Sequence, residues 1–529
     1  MWGRLWPGRM GTTSRPSDRG ERAAPKTLNA AYASIVLAVC GGAAHAQTWR
    51  ITPEIQTAAT VSSNPGLVDA ASARSELVLT ASPRLRANRH GAGLSVDADV
   101  GFETLVYPRD HQFNQIRPRA ALAWQAVAVD RWLEFDGSVQ AVTSSSDPFG
   151  PLPEQSTTGN QLVTVTAHLI PRVRHEFSRG LELVAQSDRG WVRRRGTYAV
   201  TDARRNLQTT EDLVRLGQQP QVLGYSFEYA RQKSEYESDG SAVLDIATFR
   251  AVGLVAPSPE VQFGVTVGRE TSRVSGDERK DSVRGFRLQV DPSARTRLSI
   301  DTERRFFGNG LQVQFQHRAP VVAIRARAYR QPTALPTTRV FGGVGSTSSL
   351  LDALLTTRYP DPIERARIVL DLTTRLKLPE NLDGPVEVFT DTARLAEGAE
   401  LSALFLGRLT TVTLAGFRTR TLPLQRTVDA LALDDEQSSD QLGLSFAVSR
   451  RLTTLQSVDL LLSAERLRGL GLRVGDATVN KQLRMSWSAQ LSPASTLTAG
   501  FRRRLFSSSV STTRAASESA VFCGLGYRF

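Results

Sequence analysis

The chain has 529 residues, 40% of them hydrophobic, and a formal net charge of +13 from 65 Lys and Arg against 52 Asp and Glu. This apolar content excludes an intrinsically disordered chain, and beyond the N-terminal region no window approaches the ~18 consecutive apolar residues of a membrane-spanning helix. The basic residues are scattered along the chain, so the composition does not indicate a nucleic-acid site.

The N-terminal region has the features of an export signal. A basic stretch is followed by the apolar run AAYASIVLAVC and by the small-residue sequence AHA at 44–46. A positive region, a short apolar region and a small-residue cleavage site are typical of a secretory signal peptide. We therefore expect residues 1–46 to be the signal peptide, cleavage before Gln47, and a true start at Met1 or Met10.

The two cysteines bear on processing and stability. Cys40 lies in the sequence LAVC, so a lipoprotein with an acylated Cys40 is an alternative interpretation of the signal. In either case the mature chain is exported. Only Cys523 remains after cleavage at Gln47, so an internal disulfide is excluded.

Alternating segments begin soon after the signal and continue through the first half of the chain. In LVTVTAHLIPRVRHEF, Val163 and Val165 fall on one side of an extended strand, and Thr164, Thr166 and His168 fall on the other. Similar patterns occur in ELVLTASPRLRANR, GLSVDADVGFETLVYP and VLGYSFEYARQ. Alternation with period 2 predicts β-strands, and the polar stretches between them, such as SRVSGDERKDS, are predicted as loops.

The histidines of this region raise the possibility of an enzyme. His168 and the nearby His175 are candidates for the catalytic base of a hydrolase. The chain has no G-x-S-x-G, H-E-x-x-H or P-loop motif and no cluster with metal-ligand spacing. We assign no catalytic residue, metal or cofactor and expect a protein without enzymatic activity.

Arginines are the candidate contacts for a ligand. Some lie on the polar side of predicted strands, and three cluster in RGWVRRRG, which is predicted as a loop. The candidates are Arg172, Arg174, Arg193, Arg194, Arg195, Arg484 and Arg502. Guanidinium groups bind carboxylates and phosphates, so an anionic polymer or lipopolysaccharide phosphates are possible ligands, whereas a merely solubilising role is the alternative.

One segment, residues 348–385, has helical periodicity. Asp361 is a suitable N-cap, Pro362 follows at the first helical position, and Glu364 completes a capping box. The preceding SLLDALLTT predicts a second short helix. Because an amphipathic helix needs an apolar surface to pack on, we expect this insert either to plug the barrel lumen or to form a periplasmic cap.

Strand signals return towards the C-terminus and are strongest there. In KQLRMSWSAQL, Leu483, Met485 and Trp487 share one face, and Arg484 and Ser486 share the other. Short turns such as SPAS predict antiparallel hairpins. Strands of about 10–14 residues fit a tilted membrane crossing better than the shorter strands of soluble sheets, and a polar face suits a wet lumen.

We therefore predict an all-β fold, a transmembrane antiparallel β-barrel of about 18–22 strands over residues 47–529 with a short helical insert. A soluble periplasmic β-protein is the alternative.

The last ten residues, AVFCGLGYRF, resemble the C-terminal signature of bacterial outer-membrane barrels. One strand face carries Val521, Cys523, Leu525, Tyr527 and Phe529. The resemblance implies that these residues are a recognition signal for the barrel-assembly machinery and that the protein lies in the outer membrane of a Gram-negative bacterium.

The order of features across the mature chain resembles the outer-membrane proteins associated with the PEP-CTERM system. The matching segments are TPEIQTAATVSSNPG, LTASPRLRA, DADVGFETLVYPRDHQFN, DRWLEFDGSV and the insert RYPDPIERARIVLDL. The resemblance implies a barrel that accompanies exopolysaccharide biosynthesis and exosortase sorting, with the polymer and its export proteins as partners beside outer-membrane lipid and lipopolysaccharide. A general diffusion porin is the alternative function, and an outer-membrane hydrolase is the second alternative.

Overall fold

The computed structural model describes residues 49–91, 93–144, 149–151, 162–177, 180–196, 206–236, 242–274, 277–333, 393–424, 438–510 and 514–529, and the single positions 351, 354, 355, 365, 368 and 369. The predicted signal peptide lies outside these residues, as do the predicted N-cap Asp361 and most of the insert 348–385.

Twenty-two antiparallel β-strands form one sheet that closes into a barrel, which confirms the predicted fold class. The strands are β1 (Arg50–Ser62), β2 (Glu76–Arg89), β3 (Leu94–Val106), β4 (Gln115–Val129), β5 (Leu133–Ser144), β6 (Leu162–Glu176), β7 (Leu181–Gly196), β8 (Leu207–Gln218), β9 (Leu223–Tyr236), β10 (Ala242–Ser258), β11 (Val261–Val274), β12 (Asp277–Ser293), β13 (Thr296–Arg305), β14 (Gly308–Arg318), β15 (Val322–Thr333), β16 (Arg394–Leu406), β17 (Thr410–Pro423), β18 (Ser439–Arg451), β19 (Gln456–Gly469), β20 (Ala477–Gln490), β21 (Ser495–Ser508) and β22 (Ala516–Arg528).

The barrel closes between its first and last strands. β1 pairs with β22 in antiparallel register from Glu54–Arg528 to Ser62–Ala520. The backbone N–H of Phe529 donates to the carbonyl of Pro53 at 3.0 Å, so the pairing extends to the last residue. Closure leaves no strand edge unpaired, as a sheet that crosses a bilayer requires.

The two ends of the barrel differ in their connections. At one end, here called the short-turn end, the connections have two to four residues each. They are the β2–β3 connection and every second connection after it, up to β20–β21. The opposite end, the long-loop end, carries the longer connections, including the segment between β15 and β16 that contains the predicted helices.

Two stretches that were predicted as loops are strands in the structure. SRVSGDERKDS forms the end of β11 and the start of β12, and RGWVRRRG lies in β7 up to Gly196. The polar sequence misled the prediction because charged side chains at the ends of long strands can project into water, while the backbone stays paired with its neighbours.

Candidate functional site in the barrel lumen

The inner face of β9 to β13 carries a network of opposite charges. Arg287 on β12 donates to both carboxylate oxygens of Glu228 at 2.7 and 2.8 Å, and its Nε lies 2.8 Å from Asp301. Arg250 bonds Glu303, and Arg305 bonds Glu270, on the same face. Charge-assisted pairs of this kind fix the side chains on the lumen wall and compensate for the burial of Glu228, Glu270 and Glu303.

A second group of charges lines β2 to β6. Arg86 lies 3.3 Å from Asp99 and 3.8 Å from Glu54, and Arg172 lies 3.1 Å from Asp136. These side chains keep between 8% and 35% of their surface exposed although they face the interior. This side of the lumen is therefore wet, and we call it the open wall.

The inner face of β16 to β18 is polar but buried. Arg394 is only 1% exposed, and other deeply buried polar side chains along these strands are Ser402, Thr413, Thr419, Thr421, Gln441, Ser445 and Ser449. For the buried oxygens of Glu400 and the hydroxyls of Ser402 and Thr421, the described part of the chain contains no hydrogen-bond partner. We call this side the covered wall.

Helical residues from the β15–β16 segment pack on the inner face next to the covered wall. Leu351, Leu354, Leu355 and Val369 form one buried cluster with Ala323 of β15 and Leu404 of β16. Ala323 pairs with Leu404 close to the short-turn end, ten residues from the Thr333–Arg394 pair. The distance along the strand is roughly 33 Å, so the segment that leaves β15 at the long-loop end has residues deep in the lumen.

The candidate arginines do not form one site. Arg172, Arg174, Arg484 and Arg502 face the lumen, and three of them bind carboxylates there: Arg172 binds Asp136, Arg174 binds Glu182, and Arg502 binds Glu518. Arg484 lies over the Phe522 ring at 5.0 Å. Because acidic partners compensate these arginines, the described part of the lumen has no strong net positive charge.

The predicted arginine loop is divided between the two faces of β7. Arg194 is buried on the inner face, whereas Arg193 is exposed on the outer face. The side chain of Arg195 lies outside the described residues. Because neighbouring residues of a strand point to opposite sides, this cluster cannot act as one anion site.

The two candidate histidines are also on opposite faces. His168 faces the lumen, where its Nδ1 lies 2.7 Å from Asp188 Oδ1. His175 stacks on Trp132 at 3.8 Å and contacts Phe177 on the outer face, near the short-turn end. The two imidazoles therefore do not belong to a common site.

The five C-terminal signature residues share the outer face. Val521 is 62% exposed and Phe529 is 73% exposed, and Tyr527 and Phe529 contact each other edge to face. Exposed apolar side chains surround the barrel at the same level, for example Leu444, Phe249 and Val265. Such a continuous apolar band is much larger than the isolated patches of soluble proteins.

No helix among the described residues is long and apolar enough to cross a membrane. The described residues also contain no cluster of three or more His, Cys, Asp or Glu that could hold a metal ion.

Comparison with protein-family models and with curated proteins finds no match. Among solved structures, a mutant of the ferric enterobactin receptor PfeA from Pseudomonas aeruginosa is similar, with 9% identity, a TM-score of 0.44, and coverage of 91% of this chain and 80% of that chain. The FrpB iron transporter from Neisseria meningitidis has 8% identity, a TM-score of 0.45 and coverage of 90% and 81%. The outer-membrane protein OpdK from Pseudomonas aeruginosa has 8% identity, a TM-score of 0.33 and coverage of 91% and 98%.

Proposed function

We propose that the chain is an outer-membrane barrel that provides a passage for an extracellular polymer. The passage is closed by a plug and opens when the plug is displaced. The apolar outer band and the complete strand pairing support a place in a bilayer, since every backbone group must be satisfied there. A barrel with short turns at one end and longer loops at the other is oriented with the short turns in the periplasm.

The observation that supports a passage is the contrast between the open wall and the covered wall. A wall that stayed buried permanently would be expected to be apolar, because burying unpaired polar groups is costly. The covered wall instead has Glu400, Ser402 and Thr421 buried, as suits a surface that is wet in another state. The helical segment is then a plug that occupies the lumen until it is displaced, and of the two placements expected for it the plug is the one we propose.

The polymer is proposed from the sequence resemblance to PEP-CTERM-associated barrels. An exopolysaccharide offers many hydroxyl groups, and the mixed acidic and basic side chains of the open wall, such as Arg86, Asp99 and Asp136, are suitable hydrogen-bond partners for it. Passage of a long chain through a wet lumen requires many such weak contacts and no catalytic residue.

Planar-bilayer conductance of the refolded chain tests the proposal. We expect little current from the unmodified protein and large steps from L351S/L354S/V369S, because serine removes the apolar contacts that hold the segment on Ala323 and Leu404. An acidic polysaccharide added on the short-turn side should lower the released current. L472S serves as control, since Leu472 is exposed in the short 3-10 helix Gly471–Arg473 between β19 and β20.

Two outcomes contradict the proposal. Large steps in the unmodified chain would indicate a general porin with an open lumen. If neither L351S/L354S/V369S nor the unmodified chain conducts current, the barrel has a structural or anchoring role.

A further inference from the structure

The outer face of β17 to β21 has a dense group of cations at one height. They are Arg418, Arg420, Arg466, Arg468, Lys481 and Arg503, here called the basic cluster, and all are exposed. Each lies eight to twelve residues from the short-turn end of its strand. At ~3.3 Å per residue and a tilt of ~40°, that places them roughly 20–30 Å above this end, at the upper edge of an apolar band ~25 Å tall.

Few acidic groups compensate the basic cluster. Asp440 of β18 accepts hydrogen bonds from Arg418 at 3.0 and 3.2 Å, and by register it also lies opposite Arg420 and Arg468. Among the described residues, Arg466 and Lys481 have no acidic partner within ion-pair distance. Like charges this close repel each other, so the cluster is suited to an external anion.

Outward cations at this height also occur elsewhere on the barrel: Arg269 of β11, Arg284 of β12 and Arg304 of β13 are exposed and lie eight or nine residues from the short-turn end. At the same height on β22 and on β1 to β6, all outward side chains are uncharged, for example Ser519, Val61, Leu79 and Phe102. On β7 and β9 three outward cations are paired, Arg189 with Asp212, Arg231 with Asp245, and Lys233 with Glu235, and Arg193 of β7 is a further exposed outward cation. The charges alone therefore do not distinguish the basic cluster from these other cations, whereas the apolar groove beside it does.

An apolar groove of about 540 Å³ lies directly below the cations. Its outer-face lining consists of Ala399, Leu401, Gly416, Leu442, Leu444 and Ala464, with Arg466 and Val479 at its upper end. Gly416 forms part of its floor, where an added Cβ would meet only ordinary contacts at 3.5 Å or more. The groove is apolar, and at this height on the outer face it lies against the interior of the bilayer.

We propose that the groove and the basic cluster together bind one lipopolysaccharide molecule of the outer leaflet. An acyl chain occupies the groove, and the phosphates of the glucosamine headgroup bind Arg466, Arg468 and Lys481. The long-loop end faces the cell exterior in a barrel of this type, which puts the cluster in the leaflet that carries lipopolysaccharide. Phosphate oxygens accept the bidentate hydrogen bonds that guanidinium groups offer.

The test measures lipid that stays bound to the refolded full chain in detergent, by native mass spectrometry with three probes: bisphosphorylated lipid A, dephosphorylated lipid A and phosphatidylglycerol. We expect retention of bisphosphorylated lipid A only. R466Q/R468Q/K481Q should lower it at least about tenfold, since each cation near an anionic headgroup contributes to binding. G416L should lower it as well, because leucine fills the groove.

Matched controls separate the site from general effects of charge and shape. R189Q/R231Q/K233Q removes three outward cations that are already paired, and G253L adds a side chain at an outer-face glycine of β10 with no atom within 4 Å of its Cβ position. Both controls should bind lipid A like the unmodified chain.

The proposal is overturned if the unmodified chain retains dephosphorylated lipid A or phosphatidylglycerol equally well, a comparison that needs no variant. It is also overturned if the folded variants and controls bind alike. A heat-dependent shift in gel mobility identifies the folded variants. Lipid binding and conductance are measured separately. The proposed lipopolysaccharide site can therefore fail its test while the proposed passage is still supported.

Discussion

On β12, the guanidinium of Arg287 lies among carboxylates from three positions of the sequence. Glu228, Asp301 and Glu303 lie on β9 and β13, and the distances from Arg287 range from 2.7 to 3.9 Å. Glu228 and Glu303 have only 10% and 9% of their side-chain surface exposed. Glu228 and Asp301 therefore depend mainly on Arg287 for compensation in a partly dry environment, whereas Glu303 is also bonded by Arg250.

Replacing Arg287 should destabilise the barrel through the charges it leaves behind. We expect R287M to lower the free energy of unfolding by about 1–3 kcal/mol, because carboxylates that lose their partner retain the cost of desolvation. Guanidinium unfolding in lipid vesicles, followed by tryptophan fluorescence, measures the change. R287M/E228Q/D301N should recover most of the loss.

Arg297 provides the control at the residue scale. It bonds Asp291 at 3.0 Å near the short-turn end, but its side chain is 68% exposed. R297M should change the free energy of unfolding by less than about 1 kcal/mol, as is typical of exposed ion pairs. Equal effects of R287M and R297M would refute a special role for the Arg287 network.

Among the strands, aromatic side chains repeatedly cover glycines of the neighbouring strand. Tyr329 of β15 is paired with Gly398 of β16, and Phe417 of β17 is paired with Gly443 of β18. In both pairs a Cβ on the glycine would overlap the ring. The glycines therefore provide space for large rings, and the rings compensate for the missing side chains.

Adding one methyl group at Gly398 tests this arrangement. G398A should destabilise the barrel by about 1–3 kcal/mol, because Tyr329 is 2% exposed and has little room to move, and overpacking has costs of this size. The measurement is unfolding of the variant in vesicles. G253A, on the outer face with nothing within 4 Å, should be neutral, and a neutral G398A would show that the ring moves freely.

At the scale of the whole molecule, the seam between β1 and β22 joins the two ends of the described chain. Arg528 Nε donates to Glu54 Oε1 at 2.8 Å inside the barrel, and the N–H of Ser63 donates to the carbonyl of Ser519 at the other end of the seam. Cys523 lies opposite Ala59 on the outer face, and Ala59 and Ala58 point to opposite sides of the wall.

The native cysteine allows the register of the seam to be tested directly. With Cys40 absent, A59C should form a disulfide with Cys523 under mild oxidation, since directly paired strand residues have Cα atoms within the range that a disulfide spans. A cross-linked chain migrates differently on a denaturing gel without reductant. A58C should not cross-link, and a disulfide in A58C but not in A59C would show that the register is shifted by one residue.

Much of the fold could be predicted from the sequence, because the signal is local. Alternation in segments such as KQLRMSWSAQL identifies strands and their two faces without knowledge of their partners. The same alternation predicts the outward stripe from Val521 to Phe529. Its limit is seen at SRVSGDERKDS, where polar composition suggested a loop although strand pairing continues.

The site was much less predictable. Arg172 and Arg502 were correctly placed on the polar side of their strands, but Asp136 and Glu518, which neutralise them, come from other strands. The Arg287 network was missed, because its only sequence signal is charge at alternating positions of β9, β12 and β13. Partner choice depends on register and curvature, and neither is a local property.

The sequence by itself determined the barrel class, the approximate strand number and the face of each strand, since these follow from a two-residue period. Only the tertiary structure decided which charges meet, that His168 and His175 lie on opposite sides of the wall, and that Leu351 and Leu354 lie against Ala323 and Leu404. Closure of the sheet brings together residues hundreds of positions apart, and a one-residue change in register would exchange the lumen for the outer surface.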